Sequence, residues 1–212
     1  MTLTAANYNT AQIAAGSLRP DHIVELVRHW QSTHGLPVDG MAGPRTLATI
    51  RSLSLACPLP VLPGGRRATI TSEFRPADRP NHNGVDFFYP WQPGDQPAFV
   101  GDKGCAGKTA SGAPKWGVPY GTHALAAASG VVTLAGHSPT GYRVWIDHGG
   151  GLRTGYFHLL DCLVLIGQSV AVGANLGLVG DNPADHDGRH LHFELSSTEK
   201  YDPMDPAPFM VV

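Results

Sequence analysis

The sequence predicts a mainly β protein: an antiparallel β-sheet domain preceded by a small all-α helical module. Three observations carry that prediction. Up to about residue 53 apolar residues recur at helical spacing, and beyond Ala68 the period changes to two. Gly (26) and Pro (18) together make roughly a fifth of the 212 residues, and they cut the second part into short runs. At about 150 residues per domain the length suits one large domain or two small ones. The expected division is a helical module over 1–53, a Pro/Gly linker over 54–67 and a β-rich domain over 68–212.

Each element follows from its residues. Ile23, Val24, Leu26, Val27 and Trp30 recur at helical spacing, with Pro20 suited to the first turn and Gly35 to the stop, so one amphipathic helix is expected from Pro20 to Gly35. After a turn written Leu36-Pro37-Val38-Asp39-Gly40, a second helix is expected from Gly43-Pro44, with Leu47, Ile50 and Leu53 on one face. SLACPLPVLPGGRR then opposes regular structure and reads as the linker. TITSEF, VDFF, HALAA, GVVTLAG, YRVWIDH, LRTGYFHL, LGLVG and HLHFELS follow as β-prone runs between Gly, Pro, Asp and Asn. No helix-length pattern intervenes to serve as a crossover, so antiparallel pairing is expected. Pro90 to Gly121 shows no clear strand, and a loop of that length in a compact domain is usually functional or mobile.

Charge and composition exclude several functions. With 15 Lys+Arg against 17 Asp+Glu, the net charge is −2, so there is no basic field to hold nucleic acid or an anionic bilayer. No apolar run reaches the ~18 residues of a membrane helix, so no membrane insertion is expected. Three cysteines, Cys57, Cys105 and Cys162, allow at most one internal disulfide and do not form a secreted disulfide framework. The N-terminus lacks the basic start and apolar stretch of a secretory signal. Eleven histidines against three cysteines make metal ligation and proton transfer the first expectations.

The histidines with partners give that chemistry a place. In His190-Leu191-His192-Phe193-Glu194-Leu195, alternation puts both imidazoles and Glu194 on one strand face and Leu191, Phe193 and Leu195 on the core face. His82-Asn83-Gly84-Val85-Asp86 reads as a turn entering a strand, and a bent backbone there could bring His82 and Asp86 onto one ion. Together with one histidine of the HxH pair they make a set of two His and one carboxylate. Such a set suits a catalytic zinc, which takes three protein ligands and keeps a fourth position for water. His158 is a third imidazole on a predicted strand, where a core or edge histidine is the default. Asp185-His186-Asp187 offers a rival ligand group beside His190, and the remaining histidines read as structural or surface residues.

In order along the chain, ITSEF, HNGVDF, GTHALAAASGVV, DHGGGLRTGYFHL and HLHFEL resemble the LytM/lysostaphin-type zinc metallopeptidases, which cleave peptide bonds in bacterial peptidoglycan. The resemblance covers about Ala68 to Ser197. It implies metal ligation of one zinc per chain by His82, Asp86 and His192, and catalytic roles for His158 and His190. Tyr156 stands at the aromatic position of the family's Tyr-x-His-Leu motif, as a candidate for substrate contact. Residues 18–53 likewise resemble the small helical peptidoglycan-binding module found beside wall hydrolases. The implied function is a zinc endopeptidase of peptidoglycan stem peptides or cross-bridges, acting as a monomer on bacterial peptidoglycan. The alternatives are a non-enzymatic wall-binding protein or hydrolase activator, and a sugar-binding β domain with a structural metal. With no secretory signal, a phage-type lysin made in the cytoplasm and released to the wall is expected. Two departures from the family stand out: the long stretch between Asp86 and Gly121, and Gly188-Arg189 in place of the more usual Gly-Pro before the HxH. The stretch carries Trp91, Phe99 and Trp116 with Lys103, Lys108 and Lys115, and both its ends are expected near the metal.

Overall fold

In the computed structural model, residues 20–33, 35–42, 46, 54–92, 94–95, 105–108, 110, 114–149, 152–181, 188–197 and 201–210 are described. The chain divides into two units, Met1–Ser52 and Leu53–Val212. In the first, α1 (Pro20–Thr33) forms where the apolar spacing places it, with Asp21 in its first turn. It stops where Leu36 N–H reaches back to the Gln31 carbonyl at 2.9 Å. Gln31 is buried and organises the following turn: its amide donates to Asp39 Oδ1, Met41 O and Thr46 Oγ1, and its carbonyl accepts from Gly40 N–H. The expected second helix lies outside the described residues apart from Thr46.

The second unit is built of strands β1 (Thr69–Ser72), β2 (Val85–Pro90), β3 (Cys105–Lys108), β4 (Pro114–Gly117), β5 (His123–Leu125), β6 (Gly130–Ser138), β7 (Gly141–Gly149), β8 (Leu152–Leu159), β9 (Ser169–Val170), β10 (Asn175–Leu178), β11 (Leu191–Ser197) and β12 (Pro203–Met204). Ten form one sheet in the order β3-β4-β2-β11-β8-β7-β6-β9, with β1 on β2 and β12 on β11; β5 and β10 form a separate pair. Each pairing is antiparallel. The fold class is therefore mainly β and antiparallel, as the two-residue period requires.

The period also sorts the faces. Val85, Phe87, Val144, Ile146, Tyr156, Leu191, Phe193 and Leu195 are buried on one side of the large sheet; Ala124 and Leu176 of the β5–β10 pair and Ala127 just after β5 are buried too. Burial of each large apolar side chain stabilises by about 1.5–3 kcal/mol. Asp86, His192, Glu194, Phe157 and Trp145 take the other face, because each pairs across the ladder with a residue of the same orientation.

Two expectations are corrected. The Pro-rich segment 54–67 is no free linker: Leu55 and Leu59 are buried, Leu55 bridges Met210, Ala56 N–H donates to Ala127 O, and Leu125 N–H donates to Pro58 O. Proline prevents a regular strand there without preventing single hydrogen bonds and apolar burial. The stretch from Pro90 to Gly121 does contain strands: β4 pairs with the end of β2 through Tyr89↔Gly117 and Pro90↔Trp116, and β3 pairs with β4. The insertion thus extends the sheet beyond β2. Phe99 and Lys103 lie outside the described residues.

The two family departures are physically one feature. Arg189 is fully buried, its Nε–H donating to Val118 O at 2.9 Å while Val118 N–H donates to Arg189 O at 3.0 Å. An arginine at this position ties the lead into β11 to the returning end of the insertion, a link that proline, with no donor side chain, would not make.

Candidate metal centre

Strand pairing assembles the centre. The register His192↔Asp86 between β11 and β2 sets these two side by side on one face, and the turn before β2 folds His82 over them. His82 Nε2 lies 3.0 Å from Asp86 Oδ1 and 3.1 Å from His192 Nδ1, and His192 Nδ1 lies 2.9 Å from Asp86 Oδ1. Asp86 is buried, and both histidines are largely covered. His82, Asp86 and His192 are the one group of potential metal ligands found among the described residues.

The turn reaches this close because residue 84 has no side chain. A Cβ on Gly84 would stand 2.4 Å from the Phe193 carbonyl, 2.9 Å from His192 Nε2 and 3.0 Å from Glu194 Cγ. The first contact is with backbone and cannot be relieved by a rotamer change.

Hydrogen bonds on the outer side of each ring decide which nitrogen faces inward. His82 Nδ1–H donates to Glu73 O at 2.7 Å, and His192 Nε2–H donates to Glu194 Oε1 at 3.2 Å, with Tyr201 O–H holding the other carboxylate oxygen at 2.9 Å. Arg79 donates to Asp86 Oδ2 at 3.1 Å and to Ser72 Oγ. The inward atoms are then three acceptors: His82 Nε2, His192 Nδ1 and Asp86 Oδ1. Three acceptors within about 3 Å demand positive charge between them, from protons or a metal ion. Burial opposes the charged forms of Asp86 and His192, yet Asp86 is held far below the usual carboxylate range by His192 and His82, and His192 is pushed up to about 9 by Asp86 and Glu194.

His158 and His190 stand beside this group. Regular alternation would send His158 to the core face with Tyr156. The β7–β8 register instead shifts between Tyr142↔Leu159 and Val144↔Tyr156, and His158 takes a left-handed φ of 62°. This bulge turns the ring to within 4.7 Å of His190 and 5.7 Å of His192, measured between centroids. His158 Nδ1–H donates to Thr140 O at 2.9 Å and His190 Nδ1–H to Gly188 O at 2.8 Å, so Nε2 is the basic nitrogen of each ring. His190 Nε2 lies 3.7 Å from Asp86 Oδ1, and Phe88 stacks on the ring at 5.0 Å. Burial, with His190 adding to it, pushes His158 down to about 3, so the ring is neutral. Gly180 links the two backbones, its N–H donating to His158 O and its carbonyl accepting from His190 N–H.

The five histidine and aspartate positions proposed from sequence therefore meet in one place. Tyr156 does not join them: it is fully buried on the opposite face, its hydroxyl accepting from Ala127 N–H and bonded to Thr154, which excludes substrate contact. Asp185, His186 and Asp187 lie outside the described residues. Glu73, Arg79 and Thr140 gave no signal in the sequence, because two act through backbone carbonyls and Arg79 reaches Asp86 only after the turn has formed. Glu194 was legible as a neighbour on the same strand face, but not as the group that sets the His192 tautomer.

The profile of peptidase family M23 matches residues 111–206, and that of a peptidoglycan binding domain matches residues 7–50. The M23 peptidase match falls within one domain, the unit Leu53–Val212. His158, His190 and His192 fall inside the matched span of that domain; His82 and Asp86 precede it and reach the site through the pairing of β2 with β11. The peptidoglycan DD-endopeptidase ShyA of Vibrio cholerae is 40% identical over 79 residues, 37% of this chain and 18% of that protein. The cell division protein DipM of Caulobacter vibrioides is 37% identical over 95 residues, 42% of this chain and 15% of that protein. The chain thus spans less than a fifth of the length of either relative. Lysostaphin, an antimicrobial peptidase from Staphylococcus simulans, is 23% identical with a TM-score of 0.46, over 68% of this chain and 48% of that one.

Proposed function

We propose that the chain is a zinc-dependent endopeptidase that hydrolyses peptide bonds of bacterial peptidoglycan, with the module ahead of the M23 domain binding the same polymer. The single observation that carries the metal is the convergence of His82 Nε2, His192 Nδ1 and Asp86 Oδ1, each with its remaining polar atom anchored outward. Ligands about 2.0–2.2 Å from a tetrahedral ion lie about 3.3–3.6 Å apart, so separations of 2.9–3.1 Å need to open by only about 0.2–0.7 Å. Two imidazoles and one carboxylate suit zinc. The similarity to a peptidoglycan DD-endopeptidase and the peptidoglycan binding domain support the polymer as substrate.

Zinc held there would supply a Lewis acid for the scissile carbonyl and a bound water acidified to about pKa 7. His82, Asp86 and His192 hold the ligand atoms, and Glu73, Glu194 and Arg79 fix their orientation. His158 and His190 each offer Nε2 to a proton. One would take the proton of the attacking water at Nε2 and return it to the leaving amine, and the other, having taken a proton from solvent at Nε2, would donate a hydrogen bond to the oxyanion. A non-catalytic wall-binding role would need neither ring beside the ligand set.

Elemental analysis of the purified full chain tests the assignment. One zinc per chain is expected, with loss in His192→Ala; a full equivalent retained by that variant means that the ligand set is wrong.

A further inference from the structure

Next to the candidate metal centre, on the same face of the large sheet, lies a groove of about 400 Å³ bordered by Arg143, Trp145, Arg153, Phe157, Glu194 and Tyr201. Phe157 pairs with His192 across β8 and β11, and its ring lies 5.5 Å from the His192 ring. Trp145 follows one strand further on, its ring 5.6 Å from Phe157. It packs so close to the sheet because residue 155 is glycine, where a Cβ would come within 2.9 Å of the indole. The groove is therefore continuous with the site and floored by aromatic rings.

Its charges are unusual for a chain with a net charge of −2. Arg143 and Arg153 both open on it, and neither pairs with a carboxylate among the described residues. The Nε of each is buried without a hydrogen-bond partner. Arg153 lies over the Trp145 ring at 4.6 Å, which positions its guanidinium without neutralising it. Glu194, which borders the groove, is already taken by His192 and Tyr201, and Asp147, opposite Arg153 across the β7–β8 ladder, accepts from Gly149 N–H. Arginine forks held on an aromatic floor and lacking an acid of their own suit a carboxylate from outside.

We propose that Arg143 and Arg153 form a carboxylate-binding subsite for the substrate peptide, which rests on the peptidase reading above. Two strand spacings of about 4.8 Å separate the strand of His192 from that of Trp145, and Trp145 is level with Glu194, two residues further along, so the span is about three to four extended residues. The subsite therefore reads a free carboxylate, side-chain or terminal, about three to four residues from the bond that is cut. The groove then selects peptides by charge as well as by the bond presented at the metal centre.

The test uses soluble peptide fragments of purified peptidoglycan, and the same fragments with their carboxylates converted to carboxamides by carbodiimide and ammonia. Binding to the full chain, with metal removed by chelation to prevent turnover, is measured by calorimetry; cleavage is measured separately on the zinc-loaded chain. Wild type is expected to bind and cleave the native fragments at least tenfold better than the amidated ones. The Arg143→Gln/Arg153→Gln double variant, checked for fold by circular dichroism, is expected to lose that preference, and Arg143→Lys/Arg153→Lys to recover part of it. Equal binding of both fragment sets by wild type, or a preference that survives in the Gln variant, overturns the subsite. Preferential binding without any cleavage keeps the subsite and rejects the peptidase reading; cleavage without preference does the reverse.

Discussion

Replacing Glu194 by Ala should weaken zinc binding without touching a zinc ligand. In the native site Glu194 Oε1 accepts the His192 Nε2–H at 3.2 Å, which leaves Nδ1 as the nitrogen turned toward Asp86 Oδ1 and His82 Nε2 and the one that gives up its proton to a metal. Its other oxygen is fixed by Tyr201 and the side chain is buried, so the acceptor is held in place. Without it the imidazole is free to move its proton to Nδ1, and that tautomer points a hydrogen into the ligand triangle. Loss of such an outer partner typically costs about 10–100-fold in metal affinity, or about 1.4–2.7 kcal/mol. Glu194→Gln keeps a carbonyl acceptor in the same place and should lose less than about tenfold. Competition for zinc against a chromogenic chelator at neutral pH measures both. An Ala variant within about twofold of wild type, or a Gln variant as weak as the Ala variant, would refute the argument that Glu194 acts by fixing the tautomer.

Three further outcomes are expected. Gly84→Ala forces a Cβ to within 2.4 Å of the Phe193 carbonyl and 2.9 Å of His192 Nε2, and should cost about 1–3 kcal/mol in overpacking while lowering zinc content; unchanged thermal stability and zinc content would show that the close approach is not needed. His158→Ala and His190→Ala should keep the metal and lose about 10²–10⁴-fold in turnover; wild-type turnover in either metal-loaded variant returns that histidine to a structural role. Asp95 accepts a two-pronged ion pair from Arg66 at 2.6 and 2.8 Å, and although burial opposes ionisation the Arg66 bonds keep its carboxyl below the ordinary value. Its stabilisation is full above the unfolded carboxylate range and is lost as pH falls through the lower folded value. Asp95→Asn should therefore cost about 1–3 kcal/mol near neutrality, with the gap to wild type closing in acid; an equal gap at both pH values in thermal melts refutes the assignment.

The parts of the fold that were legible in the sequence are those where one physical signal dominated. Alternation in VDFF and HLHFEL fixed which residues face the core, and it put Asp86 and His192 on the same side of their strands. The segment 54–67 was misread because prolines mask local order, whereas Leu55 and Leu59 are buried by contacts distant in sequence. β3 and β4 were missed because Gly, Pro and Lys weaken any strand pattern, and pairing with the end of β2 supplies what propensity does not. His158 is the sharpest case at the site. Regular alternation would have placed it in the core, and only the family motif pointed elsewhere; the structure supplies the cause, a bulge with a left-handed backbone at that residue. Arg143 and Arg153 carried no signal in the sequence, since isolated arginines on strands are ordinary and their lack of acidic partners is a property of the folded sheet.

Release of new amino groups from purified peptidoglycan by the full chain, followed as zinc is removed and restored, tests the central claim most directly. The zinc-loaded chain should release amines, stop when a chelator strips the metal, resume when one equivalent of zinc returns, and stay silent throughout as His192→Ala. Amine release that continues after elemental analysis shows no remaining metal, or a zinc-loaded chain that releases none, would contradict the assignment of peptide hydrolysis to the His82–Asp86–His192 centre.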